Sequence, residues 1–231
     1  MRRRFGWVLI LLFLSVSSCA HTGFDDGSSD FTKGDYSKAY KESKVLADQD
    51  DANAQFNLGL MYLNGEKVPQ DYAEAEKWFR KAADQGHSNA QFNLGLMYYM
   101  GQKVPQDYTE AAKWFRKAAD QGVANAQFFL GLMYLNGQKV PQDNTEAAKW
   151  FRKAADQGDA SAQFFLGRMY MLGRGLPKDN IKAHMWFNLA AAQGHLEAKN
   201  YRDSTAKKMT LSQIAKAQRL AREWKPKVKK E

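Results

Sequence analysis

Between residues 71 and 86 the apolar positions Ala75, Trp78, Phe79, Ala82 and Ala83 recur at i, i+3, i+4, i+7 and i+8, the spacing of one buried face of an α-helix. Charged residues fill most of the other positions. Asp71 stands where an N-cap is needed, with Pro69 just upstream, and Glu74 three residues later offers a carboxylate version of the capping box. Gly86 supplies the stop. A companion helix is predicted over 53–63, where Ala54, Leu58 and Tyr62 lie four residues apart along one stripe. Gly59 sits in its middle, and a mid-helix Gly costs about 1 kcal/mol relative to Ala.

The pair of helices then repeats without insertion. Trp78, Trp114, Trp150 and Trp186 are spaced by 36 residues, as are Pro69, Pro105, Pro141 and Pro177, and Gly86, Gly122, Gly158 and Gly194. Residues 71–106 and 107–142 differ at only 7 of 36 positions, so the chain is built by internal duplication. The mid-helix glycine recurs too, as Gly59, Gly95, Gly131 and Gly167, which implies that a neighbouring helix comes too close there for a Cβ.

The pattern Ala-x-x-x-Leu-Gly-x-x-Tyr-x-x-Gly, followed by Asp-Tyr-x-x-Ala-x-x-Trp-Phe-x-Lys-Ala-Ala-x-Gln-Gly, covers residues 52–195 and resembles the Sel-1-like repeat, a relative of the tetratricopeptide repeat. The resemblance implies an all-α, right-handed superhelical solenoid that binds a protein or peptide partner on its concave surface. Carried over position by position, it puts Asn53, Phe56, Leu60, Leu63 and Asn64 on that surface, then Asn89, Phe92, Leu96, Tyr99 and Met100. Asn125, Phe128, Leu132, Leu135 and Asn136 follow, and Ser161, Phe164, Arg168, Met171 and Leu172 close the row. The opposing possibility is that the Phe residues pack between repeats, since periodicity alone does not separate groove from core. One departure concerns the inter-helix loop, where the family's second Gly is kept as Gly175 but replaced by Lys67, Lys103 and Lys139, so a different turn is expected.

The ends read as caps. Residues 31–51 align with the second helix of a repeat but carry Glu42 at the Trp position, as suits a terminal helix. Residues 196–224 begin like a fifth repeat yet have Arg202 and Asp203 in place of Leu and Gly. A last helix starts from the capping box Thr210-Leu211-Ser212-Gln213, with Leu211, Ile214, Ala217, Leu220 and Ala221 on one face.

The net charge of +9 changes meaning once it is located. Residues 199–231 hold eleven Lys or Arg against three Asp or Glu, while residues 19–198 hold 20 against 22, so the repeat body is near neutral. This argues against nucleic acid as a partner. The basic tail, 225–231, together with Lys207 and Lys208, is either a solvated end or a site for an anionic surface.

The first residues, Met1-Arg2-Arg3-Arg4 and an apolar run from Phe5 to Leu14, form a secretory signal too short to span a membrane. Val16-Ser17-Ser18-Cys19 resembles the lipobox of bacterial lipoprotein precursors, which implies that residues 1–18 are removed and that Cys19, the sole cysteine, is lipidated. In that family Ala20, rather than Asp, implies an outer-membrane destination facing the periplasm; the alternative is cleavage after Ala20 and a soluble exported chain. Residues 19–30 read as a flexible tether.

Catalytic chemistry finds little to stand on. His21, His87, His184 and His195 lack metal-ligand spacing, no second Cys, G-x-S-x-G or phosphate-cradling loop occurs, and Asp84, Asp120 and Asp156 recur once per repeat as a spaced line. The sequence therefore predicts a binding scaffold of the cell envelope with no catalytic residue, metal or cofactor. The competing class is a cell-wall-ligand-binding protein or hydrolase with a cryptic site. Intact-mass analysis of the mature protein should show a chain that begins at acylated Cys19. A start at His21 would instead identify ordinary secretory cleavage.

Overall fold

The computed structural model describes residues 36–66, 68–101 and 104–227. Within them the chain forms eleven α-helices and no strand: α1 (Tyr36–Asp48), α2 (Ala52–Asn64), α3 (Tyr72–Asp84), α4 (Ser88–Met100), α5 (Tyr108–Asp120), α6 (Ala124–Asn136), α7 (Asn144–Asp156), α8 (Ala160–Leu172), α9 (Asn180–Ala192), α10 (Ala198–Ala206) and α11 (Leu211–Glu223). From α1 to α10 each helix packs on its neighbours in sequence, which makes a solenoid, and α11 packs on α9. The even-numbered helices α2 to α8 form one row, A, and the odd-numbered helices α3 to α9 the other, B. The signal segment, Cys19, the tether, Lys67, Lys103 and the last residues of the basic tail lie outside the described residues.

The B helices bury the predicted stripe. Ala75, Trp78, Phe79, Ala82 and Ala83 and their equivalents in α5 and α7 are all buried. A Cβ built on Gly59 would lie 2.6 Å from the Phe79 ring, and the same approach recurs at Gly95 with Phe115 (2.7 Å), Gly131 with Phe151 (2.8 Å) and Gly167 with Phe187 (2.7 Å). The glycine in each A helix is thus the floor on which the Phe of its own B helix lies.

A second repeating contact is polar. Gln55, Gln91, Gln127 and Gln163 are buried on the A helices, and each donates through Nε2 to the last-turn carbonyl of the preceding helix, Ala47, Ala83, Ala119 or Ala155, at 3.0–3.3 Å. Each also accepts, through Oε1, the Nε2 of the Gln that ends its own B helix: Gln85, Gln121, Gln157 or Gln193, at 2.8–2.9 Å. The buried amide therefore uses donor and acceptor together, and it ties three successive helices.

Helix starts follow the sequence in part. Asp71, Asp107 and Asp143 accept two backbone N–H groups each. The reciprocal half of the capping box is not made in α3, because Glu74 turns outward to accept from Trp78 Nε1 at 3.1 Å and Lys77 Nζ at 2.9 Å, while the Asp71 N–H donates to the Tyr62 carbonyl. At α11 the box anchored on Thr210 is complete. The loop expectation needs correction: Lys139 adopts φ +55°, the same left-handed region as Gly175 at +68°, so the turn survives the substitution. What Lys139 cannot copy is the close approach of Gly175 to the carbonyl of Asn144, where a Cβ would fall at 2.1 Å.

At the C-terminus α11 folds back onto α9, with Ala217 and Ala221 buried. Leu211, expected on that face, is 86% exposed, and Ile214 and Leu220 are half-buried. Trp224 meets Trp186 edge-on at 6.1 Å between centroids. Lys227 then closes on the end of α7, its N–H 2.7 Å from the Asp156 carbonyl and its ammonium 2.8 Å from the Asp156 carboxylate. A cation at a helix C-terminus is favoured by the helix dipole, so the start of the basic segment serves as a clasp.

Gly131→Ala tests the Gly–Phe contact. Ala favours the helix, yet the added methyl must displace a fully buried ring, and a net loss of about 1–2 kcal/mol is expected in urea unfolding. The same change made together with Phe151→Leu should cost less than the sum of the two single variants.

Candidate interaction surface

The A helices expose a face that is almost free of charge. Helices α2, α4 and α6 contain no Asp, Glu, Lys or Arg, and α8 contains only Arg168. The B helices carry the charge instead, as in Glu74, Glu76, Lys77, Arg80, Lys81 and Asp84 of α3. Several of these charges fasten B to the next A helix: Arg80 donates to the Tyr98 hydroxyl, and Arg116–Tyr134 and Arg152–Tyr170 repeat the contact. Burial and the Glu76 carboxylate beside it push the Tyr98 hydroxyl up to about 12.

The structure divides the residues expected on the concave surface. Asn89 is exposed, and Asn53, Asn125, Ser161, Leu60, Leu96, Leu132 and Arg168 are half-buried along one row. Tyr99 is half-buried, edge-on to Phe129 at 5.4 Å, with its hydroxyl 3.2 Å from Gln138 Oε1. Phe56 is half-buried against the ring of His87 at 4.5 Å. Phe92, Phe128 and Phe164 are not groove residues: they are 6%, 5% and 3% exposed. Phe128 shows why, since its ring meets Phe151 of its own repeat at 5.8 Å and Phe165 of the next at 5.7 Å. This register points along the stack into the next repeat, not out of it.

The neighbouring register carries what was missed. Asn57 and Asn93 are half-buried, and their equivalents Phe129 and Phe165 stack on Phe115 and Phe151, each at 5.2 Å. The only sequence signal was the change from Asn to Phe between the second and third repeats. Phe129 is itself buried, whereas Phe165 stays half-buried in α8, where Leu135, Phe165, Arg168, Met169, Leu172 and Arg174 line a shallow cleft.

The perturbed titratable groups are dispersed. Burial lowers the pKa of His87, His184 and His195, and His87 uses Nδ1 to accept the Ala90 N–H at 3.1 Å as the N-cap of α4. Asp159, pushed up to about 6 by burial, caps α8 in the same way. Among the described residues no three His, Cys, Asp or Glu gather as a metal site. What this geometry offers is a shaped, largely neutral surface.

A family model for the Sel1 repeat matches residues 52–87, 88–123, 124–159 and 160–195, the four A–B pairs just described. The chain belongs to the Sel1 repeat family. A Sel1 repeat protein from Oxalobacter formigenes is 37% identical, with a TM-score of 0.68 over 81% of this chain and 79% of that one. The protective antigen c5321 of uropathogenic Escherichia coli, which displays the same repeat fold, is 31% identical with a TM-score of 0.57; the match covers 82% of this chain and about half, 49%, of the antigen. Pseudomonas aeruginosa 5086 shares the fold at 17% identity and a TM-score of 0.50. No curated protein matches the chain. Sel1 repeat proteins act as protein–protein interaction scaffolds and are typically non-enzymatic.

The Sel1 core assignment of Phe128 has a direct consequence. Phe128→Asp would bury an unpaired carboxylate among the rings of Phe129, Phe151 and Phe165, which costs more than most domains can lose. Circular dichroism should show the cooperative melting transition shifted down by tens of degrees or lost.

Proposed function

We propose that this Sel1 repeat protein is an exported, lipid-anchored scaffold of the cell envelope that holds an apolar segment of a partner protein on the face of its A helices. The observation that carries the reading is the segregation of charge. A helix row facing only water would gain solubility from charged residues, yet α2, α4 and α6 have none, and Leu60, Leu96, Leu132, Phe165 and Leu172 stay partly exposed there. The lipobox that ends at Cys19, outside the described residues, supplies the anchor in this reading, and residues 20–35 separate it from the first helix. No helix of the described residues is long and apolar enough to cross a membrane.

The test uses a substitution the fold already accepts. Arg168 occupies the register of Leu60, Leu96 and Leu132, so Leu96→Arg places a cation at a position that tolerates one in the fourth repeat. Melting should move by no more than a few degrees. Proteins that co-purify with the wild type from detergent-solubilised envelopes should be recovered at about a tenth of the level or less, as expected when a charge must be covered by an apolar partner. Undiminished recovery would place the binding surface elsewhere.

A further inference from the structure

The fourth repeat departs from the other three at two positions that meet in one cleft. Arg168 replaces Leu60, Leu96 and Leu132, and Arg174 replaces Glu66, Gln102 and Gln138. Both line the cleft formed with Leu135, Phe165, Met169 and Leu172, and Leu172 is 47% exposed. Among the described residues neither arginine is in an ion pair. Other cations of the chain find carboxylates readily, as Lys149 does in Glu146 and Lys227 in Asp156. The Arg168 guanidinium lies instead over Phe165, Phe164 and Tyr201, 5.6–5.8 Å from each ring centroid. Rings hold a guanidinium in place but offer no acceptor oxygen, so its N–H donors are left for an incoming group.

We infer that this cleft is the specificity end of the A-helix surface and takes a partner segment in which an Asp or Glu side chain adjoins a large apolar one. The carboxylate is the complement of the two guanidinium groups, which can bind it through paired, charge-assisted hydrogen bonds. The apolar neighbour covers Leu135, Phe165 and Leu172. Because the rest of the A row is uncharged, the acidic residue has one place to go, and that fixes the register and direction of the bound segment along the solenoid. The inference rests on the reading of the A-helix face as the partner surface and adds to it the chemistry of the partner.

The double variant Arg168→Leu/Arg174→Gln gives both positions the residues that other repeats already carry, so its melting curve should overlay that of the wild type. Random dodecapeptides displayed on phage, panned against each full-length mature protein, supply the probe. The wild type should enrich sequences with Asp or Glu beside Leu, Ile or Phe, and the double variant should lose the acidic preference. Synthetic versions of the enriched peptides should bind the double variant at least about tenfold more weakly in fluorescence polarisation, while their Asn or Gln counterparts bind both proteins alike. Apolar peptides enriched without an acidic residue, or acidic ones bound equally by both proteins, would overturn the inference yet keep the A-helix surface. Enrichment on neither protein would remove the surface itself.

Discussion

The ring of each B-helix Phe lies directly on a glycine of its own A helix, at a distance no other residue allows, and the solenoid is organised around this contact. Because a Cβ built there would fall only 2.6–2.8 Å from the ring, the two helices of a repeat come this close only with glycine at that position. The helix gives up about 1 kcal/mol of propensity at that glycine, and the burial of a Phe offsets it, since a fully buried apolar side chain contributes about 1.5–3 kcal/mol. Everything else in the repeat is set at a height above that floor. The small residues Ala82 and Ala83 of the same helix let the next A helix approach, and the aromatic wedge Phe92–Phe128–Phe164 then fills the space between repeats.

The glutamine ladder does a different task. Helix ends leave carbonyls without intrahelical partners, and in a stack many of those ends are buried. One amide per repeat accounts for such a carbonyl and for a glutamine from the next helix end in a single group. Removing one member would strand the other, which is why a polar residue persists in the middle of an otherwise apolar seam. Hydrophobic packing sets the distance between helices, and the amides, being directional, set how far one helix may slide along another.

Charge is distributed by row. On the B helices it binds one repeat to the next through Arg–Tyr contacts and stacks over Trp, as Lys81, Lys117 and Lys153 do on Trp78, Trp114 and Trp150. Its near-absence from the A row leaves amide and apolar groups facing outward, the chemistry of a protein-binding surface. The two ends of the described chain are treated unequally. The C-terminal end is closed by α11 and the Lys227–Asp156 clasp, whereas α1 leaves Val45 and Leu46 exposed on the N-terminal face.

The sequence by itself determined the repeat length, the two helices of each unit, the B-helix core from Ala75 to Ala83, the capping aspartates and the meaning of the recurring glycine. Each of these follows from local periodicity or from a residue whose backbone or volume is unusual, and such signals survive without knowledge of the partner they meet. Tertiary structure alone decided which side of the A helix is buried between repeats. Phe56, Phe92, Phe128 and Phe164 occupy one register, one helical step from Asn57, Asn93, Phe129 and Phe165, and both registers are compatible with either a groove or a seam. A step of one residue turns a side chain by about 100° around the helix, yet the neighbouring elements cover both registers in α6, where Phe128 and Phe129 are both buried, and leave Phe165 half-buried beside buried Phe164 in α8. The turn at Lys139 and the outward rotation of Glu74 belong to the same class, because in each the deciding neighbour comes from a part of the chain that local pattern does not reach. The cleft at Arg168 and Arg174 is also of this kind: two single departures from the repeat, six residues apart in the sequence, become a paired cationic site only once α8 and its following loop are folded beside α6.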